Sequence, residues 1–174
     1  MDIVVIGYSG NIKESPVKEL EEDVYRLGYL IAKKGHTLWN GGRDGVMEIV
    51  SKGASEAGGD IVGILPWDKK QMMSTPSKFV KRVVYTGMDF SMRSLLLVNN
   101  ADLVISVGGG SGTATEIFGA YGYAKPIVLH ANSGGWTQKI SQTFQGTENP
   151  VYLDHRKTAP VFIEHTLDDI VKHL

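Results

Sequence analysis

Residues 108–116 read Gly-Gly-Gly-Ser-Gly-Thr-Ala-Thr-Glu. They lie between an apolar run, LVISV, and a helical pattern, so they form a turn that feeds a helix N-terminus. Such a turn is dense in backbone N–H and hydroxyl donors, the chemistry that holds a phosphate. Gly109, Gly110, Ser111, Gly112 and Thr113 are the candidate contacts. Glu116 has two readings. Thr113-x-x-Glu116 is a capping box, in which the carboxylate folds back on the helix start. If the helix begins at Ser111 or Gly112 instead, the carboxylate projects toward the ligand.

A second turn, Asn40-Gly41-Gly42-Arg43-Asp44-Gly45, ends another short apolar run. Gly41, Gly42, Arg43 and Gly45 are candidates for phosphate or ribose, while Asp44 is equally a plain N-cap. Gly7 and Ser9 sit in the turn after the first apolar run. Arg93 comes early in a helix that starts near Asp89, where a cation opposes the helix dipole. Such an arginine ordinarily reaches solvent or a neighbouring carboxylate, but its place after a strand end puts it on the ligand side. His130 ends a strand at the same edge. Met47, Trp136 and Phe144 read as core.

Several chemistries are excluded. The pattern G-x-G-x-x-G fails after the first strand because Ser9 replaces its second glycine, and no G-x-x-x-x-G-K-[ST] occurs. With no cysteine there is no disulfide, thiolate metal site or thiol nucleophile. No metal-ligand spacing of the H-x-x-x-H kind is present, so no metal is expected. The 18 basic residues are scattered and the net charge is −1, which argues against nucleic acid as partner. The N-terminal MDIVVIGYSG lacks a signal peptide's basic start, and SLLLVNNADLVISV is broken by Asn99, Asn100 and Asp102. The expectation is a cytoplasmic protein that does not enter a membrane.

The elements that must position these turns alternate along the chain. Strands are expected at 3–6, 36–40, 60–65, about 80–85, 103–107, 127–130 and 161–163. Ser15 as N-cap and Pro16 at the first position open a helix whose stripe is Val17, Leu20, Val24, Leu27 and Ile31, stopped by Gly35. Further helices are expected at 44–57, near 89–101, 113–124 and 136–145, and at 167–174, the last opened by Thr166-x-x-Asp169. Alternating strands and helices imply parallel pairing with helices on both faces. The 174 residues therefore predict one domain, a Rossmann-like, doubly wound three-layer α/β sandwich with a mainly parallel sheet. In such sheets ligands collect outside the carboxyl ends of the strands. The segment 66–78, with two prolines, is the expected mobile loop.

The motif GGGSGTATE is similar to P-G-G-x-G-T-x-x-E of the LOG family, cytokinin-activating nucleoside 5′-monophosphate phosphoribohydrolases. Residues 40–54, NGGRDGVMEIVSKGA, resemble that family's G-G-x-x-G-L-M-x-x-V-x-x-G-A. Arg93 falls where the family keeps its catalytic arginine. There are departures: Gly108 replaces a proline, and Phe90-Ser91-Met92-Arg93-Ser94 keeps only the arginine of M-H-E-R-K. The chain looks closer to a sister branch that includes molybdenum-cofactor carrier proteins. The resemblance implies one of two mechanisms. As an enzyme, the turns hold a nucleotide 5′-phosphate, Glu116 stabilises an oxocarbenium-like transition state or orients water, and Arg93 anchors ribose or phosphate. As a carrier, the same turns grip the phosphate of a pterin and no bond breaks. No cofactor is required, the bound molecule being a nucleoside monophosphate or the molybdenum cofactor. The resemblance also implies a homo-oligomer, dimer or tetramer.

Overall fold

Runs of β-branched and aliphatic residues with no polar alternation suit strands covered on both faces, and the sheet is built from them. A computed structural model describes residues 1–66 and 75–174. The middle of the segment expected to be mobile, 67–74, lies outside the described residues. The chain order is β1 (Asp2–Gly7), α1 (Glu21–Lys33), β2 (Thr37–Asn40), α2 (Val46–Glu56), β3 (Asp60–Leu65), β4 (Arg82–Tyr85), α3 (Phe90–Asn99), β5 (Leu103–Val107), α4 (Ser111–Gly122), β6 (Ile127–His130), α5 (Gly135–Gln142), β7 (Val161–Glu164) and α6 (Leu167–Val171).

The seven strands form one sheet in the order β4-β3-β2-β1-β5-β6-β7, and every ladder between neighbours is parallel. Succession from β1 runs outward through β2, β3 and β4, then jumps back to β5 on the other side of β1. Strand order therefore reverses between β1 and β5, and a crevice opens there at their carboxyl ends. One core fills the face under α1, α2 and α6, with Ile3, Val5, Leu27, Ile31 and Ile105 fully buried. The other lies under α3, α4 and α5 around Val4, Leu97, Ile117 and Leu129. This is the doubly wound Rossmann-like three-layer sandwich expected from the alternation.

Two helix starts differ from expectation. Ser15 and Pro16 do not open α1: a 3-10 turn at Lys18–Leu20 intervenes, and α1 begins at Glu21 without a side-chain cap. Val17 lies buried in the core ahead of the helix. Asp44 is not the cap of α2, because Gly45, with φ of 64°, holds that position. α6 does open on the Thr166 hydroxyl, which accepts the Asp169 amide at 3.2 Å. Among the described residues, no helix is long and apolar enough to cross a membrane.

Candidate functional site

The crevice at the switch point has a volume of about 490 Å³. Its floor is the end of β1, Val5 to Gly7. One wall is the turn 110–113 with Thr115 and Glu116, and the other is Gly41, Arg43, Asp44 and Met47. Phe90, Ser91, Arg93, Ser94 and Leu97 of α3 close the fourth side. Of the residues singled out by sequence, Gly7, Ser9, Gly41, Arg43, Arg93, Gly110, Ser111, Gly112, Thr113 and Glu116 meet here.

Gly42, Gly45 and Gly109 do not line the crevice. Gly42 turns away and packs on Leu65 and Gly63, its carbonyl accepting the Ser77 amide at 2.8 Å. Gly45 lies against the Tyr8 carbonyl and the Ser9 backbone, and Gly109 lies beneath Thr113. All three shape the turns with positive φ and leave the ligand side to their neighbours.

The two glycine turns present their helices differently. α4 begins at Ser111, with Gly110 as an extended N-cap and no side-chain cap. Thr113 does not form a capping box with Glu116. Its hydroxyl instead donates across the crevice to the Gly7 carbonyl at 3.2 Å. The first-turn amides of α4 are thus left for solvent or a ligand, and the dipole places positive potential there. At α2 the first amide is already used, since Val46 N–H donates to the Tyr8 carbonyl at 2.8 Å. The first loop is tied to the same wall, with the Gly10 amide donating to the Asp44 carboxylate at 3.2 Å.

Once the capping box is absent, Glu116 points inward and is only 8% exposed. Burial pushes its carboxyl above the usual carboxylate range, against the opposing pull of a Ser94 hydrogen bond and the Arg93 charge. Arg93, placed on the ligand side by its position after a strand end, lines the crevice and is buried at 6% exposure. Burial pushes its guanidinium below the ordinary arginine value, with Glu116 opposing and Arg43 adding to the shift. Its Nε has no hydrogen-bond partner among the described residues. Space for this guanidinium comes from Gly41, where a methyl group would lie 2.8 Å from Arg93 Nη1 and 2.6 Å from Met47 Sδ. Arg43 stands nearby, with its nearest anion, Asp44, at 3.7 Å.

Gly108 fits the departure seen in the sequence. Its φ is 66°, which proline cannot adopt, and its α-carbon faces the Tyr8 ring. Its carbonyl accepts the Thr137 hydroxyl at 2.5 Å and its amide donates to Ser133 Oγ at 2.6 Å.

Sequence reasoning missed Met47, Phe90 and Ser94. Phe90, Arg93 and Ser94 are three and four residues apart on α3, a spacing that puts them on one face, and that signal was available. Met47 was read as core but lines the crevice, and Trp136 is 41% exposed at the start of α5. Phe144 packs half-buried on the second core. His130 is buried outside the crevice, 4.0 Å from Asp23, with Nδ1 unpartnered among the described residues. Burial pushes its pKa down, and Asp23 pulls it up.

The fold and crevice thus define a Rossmann-like protein with glycine turns, two arginines and a buried glutamate at its switch point. The chain belongs to the SLOG cluster4 family, whose profile matches residues 1–160. The crystal structure of TM1055 is 45% identical to it, with 99% of each chain covered and a TM-score of 0.89. The molybdenum cofactor carrier protein of Chlamydomonas reinhardtii is 26% identical over 99% of this chain and 94% of that one, with a TM-score of 0.76. Cytokinin riboside 5′-monophosphate phosphoribohydrolase LOG5 of Arabidopsis thaliana is 27% identical over 106 residues, which are 58% of this chain and 46% of that enzyme. These findings bear out the resemblance to the LOG family and its carrier branch.

Proposed function

We propose that the crevice binds a phosphorylated, nucleotide-like ligand, its phosphate seated on the first-turn amides of α4 and met by Arg93 and Arg43. The observation that carries this reading is the uncapped start of α4 beside a buried arginine that has no ion-pair partner within 4.0 Å among the described residues. A buried cation without a close anion is costly, and a bound dianion offsets that cost. Gly7 and Ser9 border the space next to the phosphate, and the ring of a base or pterin lies toward Met47 and Phe90.

Binding without bond cleavage is the reading we favour. It is supported by the likeness to a carrier protein along nearly the whole chain. Hydrolysis of a nucleoside 5′-monophosphate is the second reading, favoured by the location of Glu116 inside the crevice with Arg93. In that reaction water attacks the anomeric carbon, and free base and ribose 5-phosphate leave. Mass spectrometry of ligand retained by the purified protein, followed by a panel of nucleoside monophosphates assayed for released base, tests both. Base release abolished by Glu116→Ala removes the carrier reading. Retained ligand with no release from any monophosphate removes the hydrolase. A protein that retains nothing and binds no phosphate ester removes both.

A further inference from the structure

Two guanidiniums face one aromatic ring in this crevice. Arg43 Cζ stands 5.1 Å from the centroid of Phe90, and Arg93 Cζ stands 5.5 Å from the same centroid. The arginines come from different elements, the turn before α2 and the second turn of α3, and burial together with the Arg43 charge lowers the Arg93 guanidinium below its ordinary value. Bringing them together in a partly buried site is unfavourable unless something compensates. Glu116 and Asp44 offset part of this cost, but a carboxylate in close contact would also compete with an incoming anion. The face of an aromatic ring attracts cations through its quadrupole while carrying no net charge.

We infer that Phe90 is a positioning residue: a shared cation–π platform that holds Arg43 and Arg93 together and leaves their N–H donors free for a phosphate. Three observations converge on this. Phe90 is the first residue of α3 and lines the crevice. The nearest carboxylate to Arg43 is 3.7 Å away, a long contact that leaves most of its donors unused. Arg93 lines the crevice and has no ion-pair partner within 4.0 Å among the described residues. Phe90 anchors this pair sterically as well, since Asp89 caps α3 through the Met92 amide at 2.9 Å and fixes where the ring emerges.

The inference rests on the proposed phosphate site, so its test has one readout that needs a ligand and one that does not. Phe90→Leu keeps the apolar bulk and removes the quadrupole, while Phe90→Tyr keeps both. AMP and inorganic phosphate are titrated calorimetrically into each full-length variant. Phe90→Leu is expected to bind roughly threefold to thirtyfold more weakly, with Phe90→Tyr restored to within about twofold of the parent. In the ligand-free protein, the side-chain N–H resonances of Arg43 and Arg93 are followed by NMR. Ring-current shifts present in the parent and in Phe90→Tyr, but lost in Phe90→Leu, support the platform. Unchanged affinity in a folded Phe90→Leu, or arginine resonances without ring-current shifts in the parent, overturns it. If the parent binds neither probe, the proposed function fails while the NMR result still decides the platform. If Phe90→Leu does not fold, the parent's shifts and the behaviour of Phe90→Tyr decide it.

Discussion

Replacing Gly41 by alanine separates the stability of the fold from the positioning of the site. The new methyl would lie 2.6 Å from Met47 Sδ and 2.8 Å from Arg93 Nη1, so both atoms must retreat by roughly an ångström to reach ordinary contact. Gly41 is not among the glycines with positive φ, so alanine meets no backbone strain. Loss of freedom in the unfolded chain even favours alanine by about 0.4–1 kcal/mol. Overpacking costs about 1–3 kcal/mol, toward the low end here because a methionine thioether and the tip of an arginine both yield easily. The net change in folding stability is therefore expected within about 2 kcal/mol. Binding should suffer more. A guanidinium displaced by an ångström loses its charge-assisted hydrogen bonds to a phosphate, worth about 1.5–3 kcal/mol, or roughly tenfold to a hundredfold in affinity. Urea unfolding and calorimetric titration with AMP are run on the same preparation. Met47→Ala in the Gly41→Ala background relieves one of the two contacts and should leave the affinity defect, which belongs to Arg93. Parent-like affinity in Gly41→Ala would refute the reasoning that Arg93 is seated by this gap and touches the ligand.

Gly108→Ala combines a φ of 66° with a methyl driven into the Tyr8 ring and 2.8 Å from the Ser133 carbonyl. A loss of about 2–5 kcal/mol in urea unfolding is expected, and a loss below about 1 kcal/mol contradicts this account of the turn. Gly112→Ala meets nothing within 4 Å and occupies a helical position, so the fold should gain slightly, by up to about 1 kcal/mol. Its methyl borders the crevice, and AMP affinity should fall several-fold at undiminished thermal stability, as titration and a melting curve will show. Glu116→Gln tests the sign of the carboxyl shift. Because burial raises its folded pKa above the unfolded one, the stabilising effect of Glu116 is complete below the ordinary carboxylate value and is lost as pH rises through the folded pKa. Melting temperatures of the ligand-free parent should decline in that window while those of Glu116→Gln stay flatter. A parallel pair of profiles argues against the shift.

The strands were legible because a strand covered on both faces shows in composition: 60–65, 103–107 and 127–130 coincide with β3, β5 and β6. The site was legible only as a set of turns, since local sequence names a turn but not the partner that completes it. The capping box at Thr113 is the clearest case. The spacing is right for a cap, yet the hydroxyl finds a stronger use against the Gly7 carbonyl on β1, far away in sequence. That choice moves the start of α4 to Ser111 and frees Glu116 to point inward. Arg93 was read onto the ligand side from its place after a strand end, but its burial was not legible. Dipole reasoning sends an early cation to solvent, but the absence of a side chain at Gly41 and the ring at Phe90 offer it a buried place. Both depend on contacts between elements, which a reading along one chain does not contain.

The same dependence decides which of two glycine turns remains available for an anion. Both precede helices, and both carry the small residues and donors a phosphate needs. Tyr8 breaks the symmetry. Its carbonyl takes the first amide of α2, while its ring packs against Gly108 and its hydroxyl approaches Gly134 and Gly135. One residue therefore occupies the first amide of α2 and braces the turn before α4 without covering the first-turn amides of Ser111, Gly112 and Thr113. The turn before α2 brings Arg43 to the crevice as a side chain. The start of α4 and the two guanidiniums then meet on the side of the crevice bounded by β1 and β5. Strand order reverses at that point, so the topology that opens the crevice also brings both arginines to it.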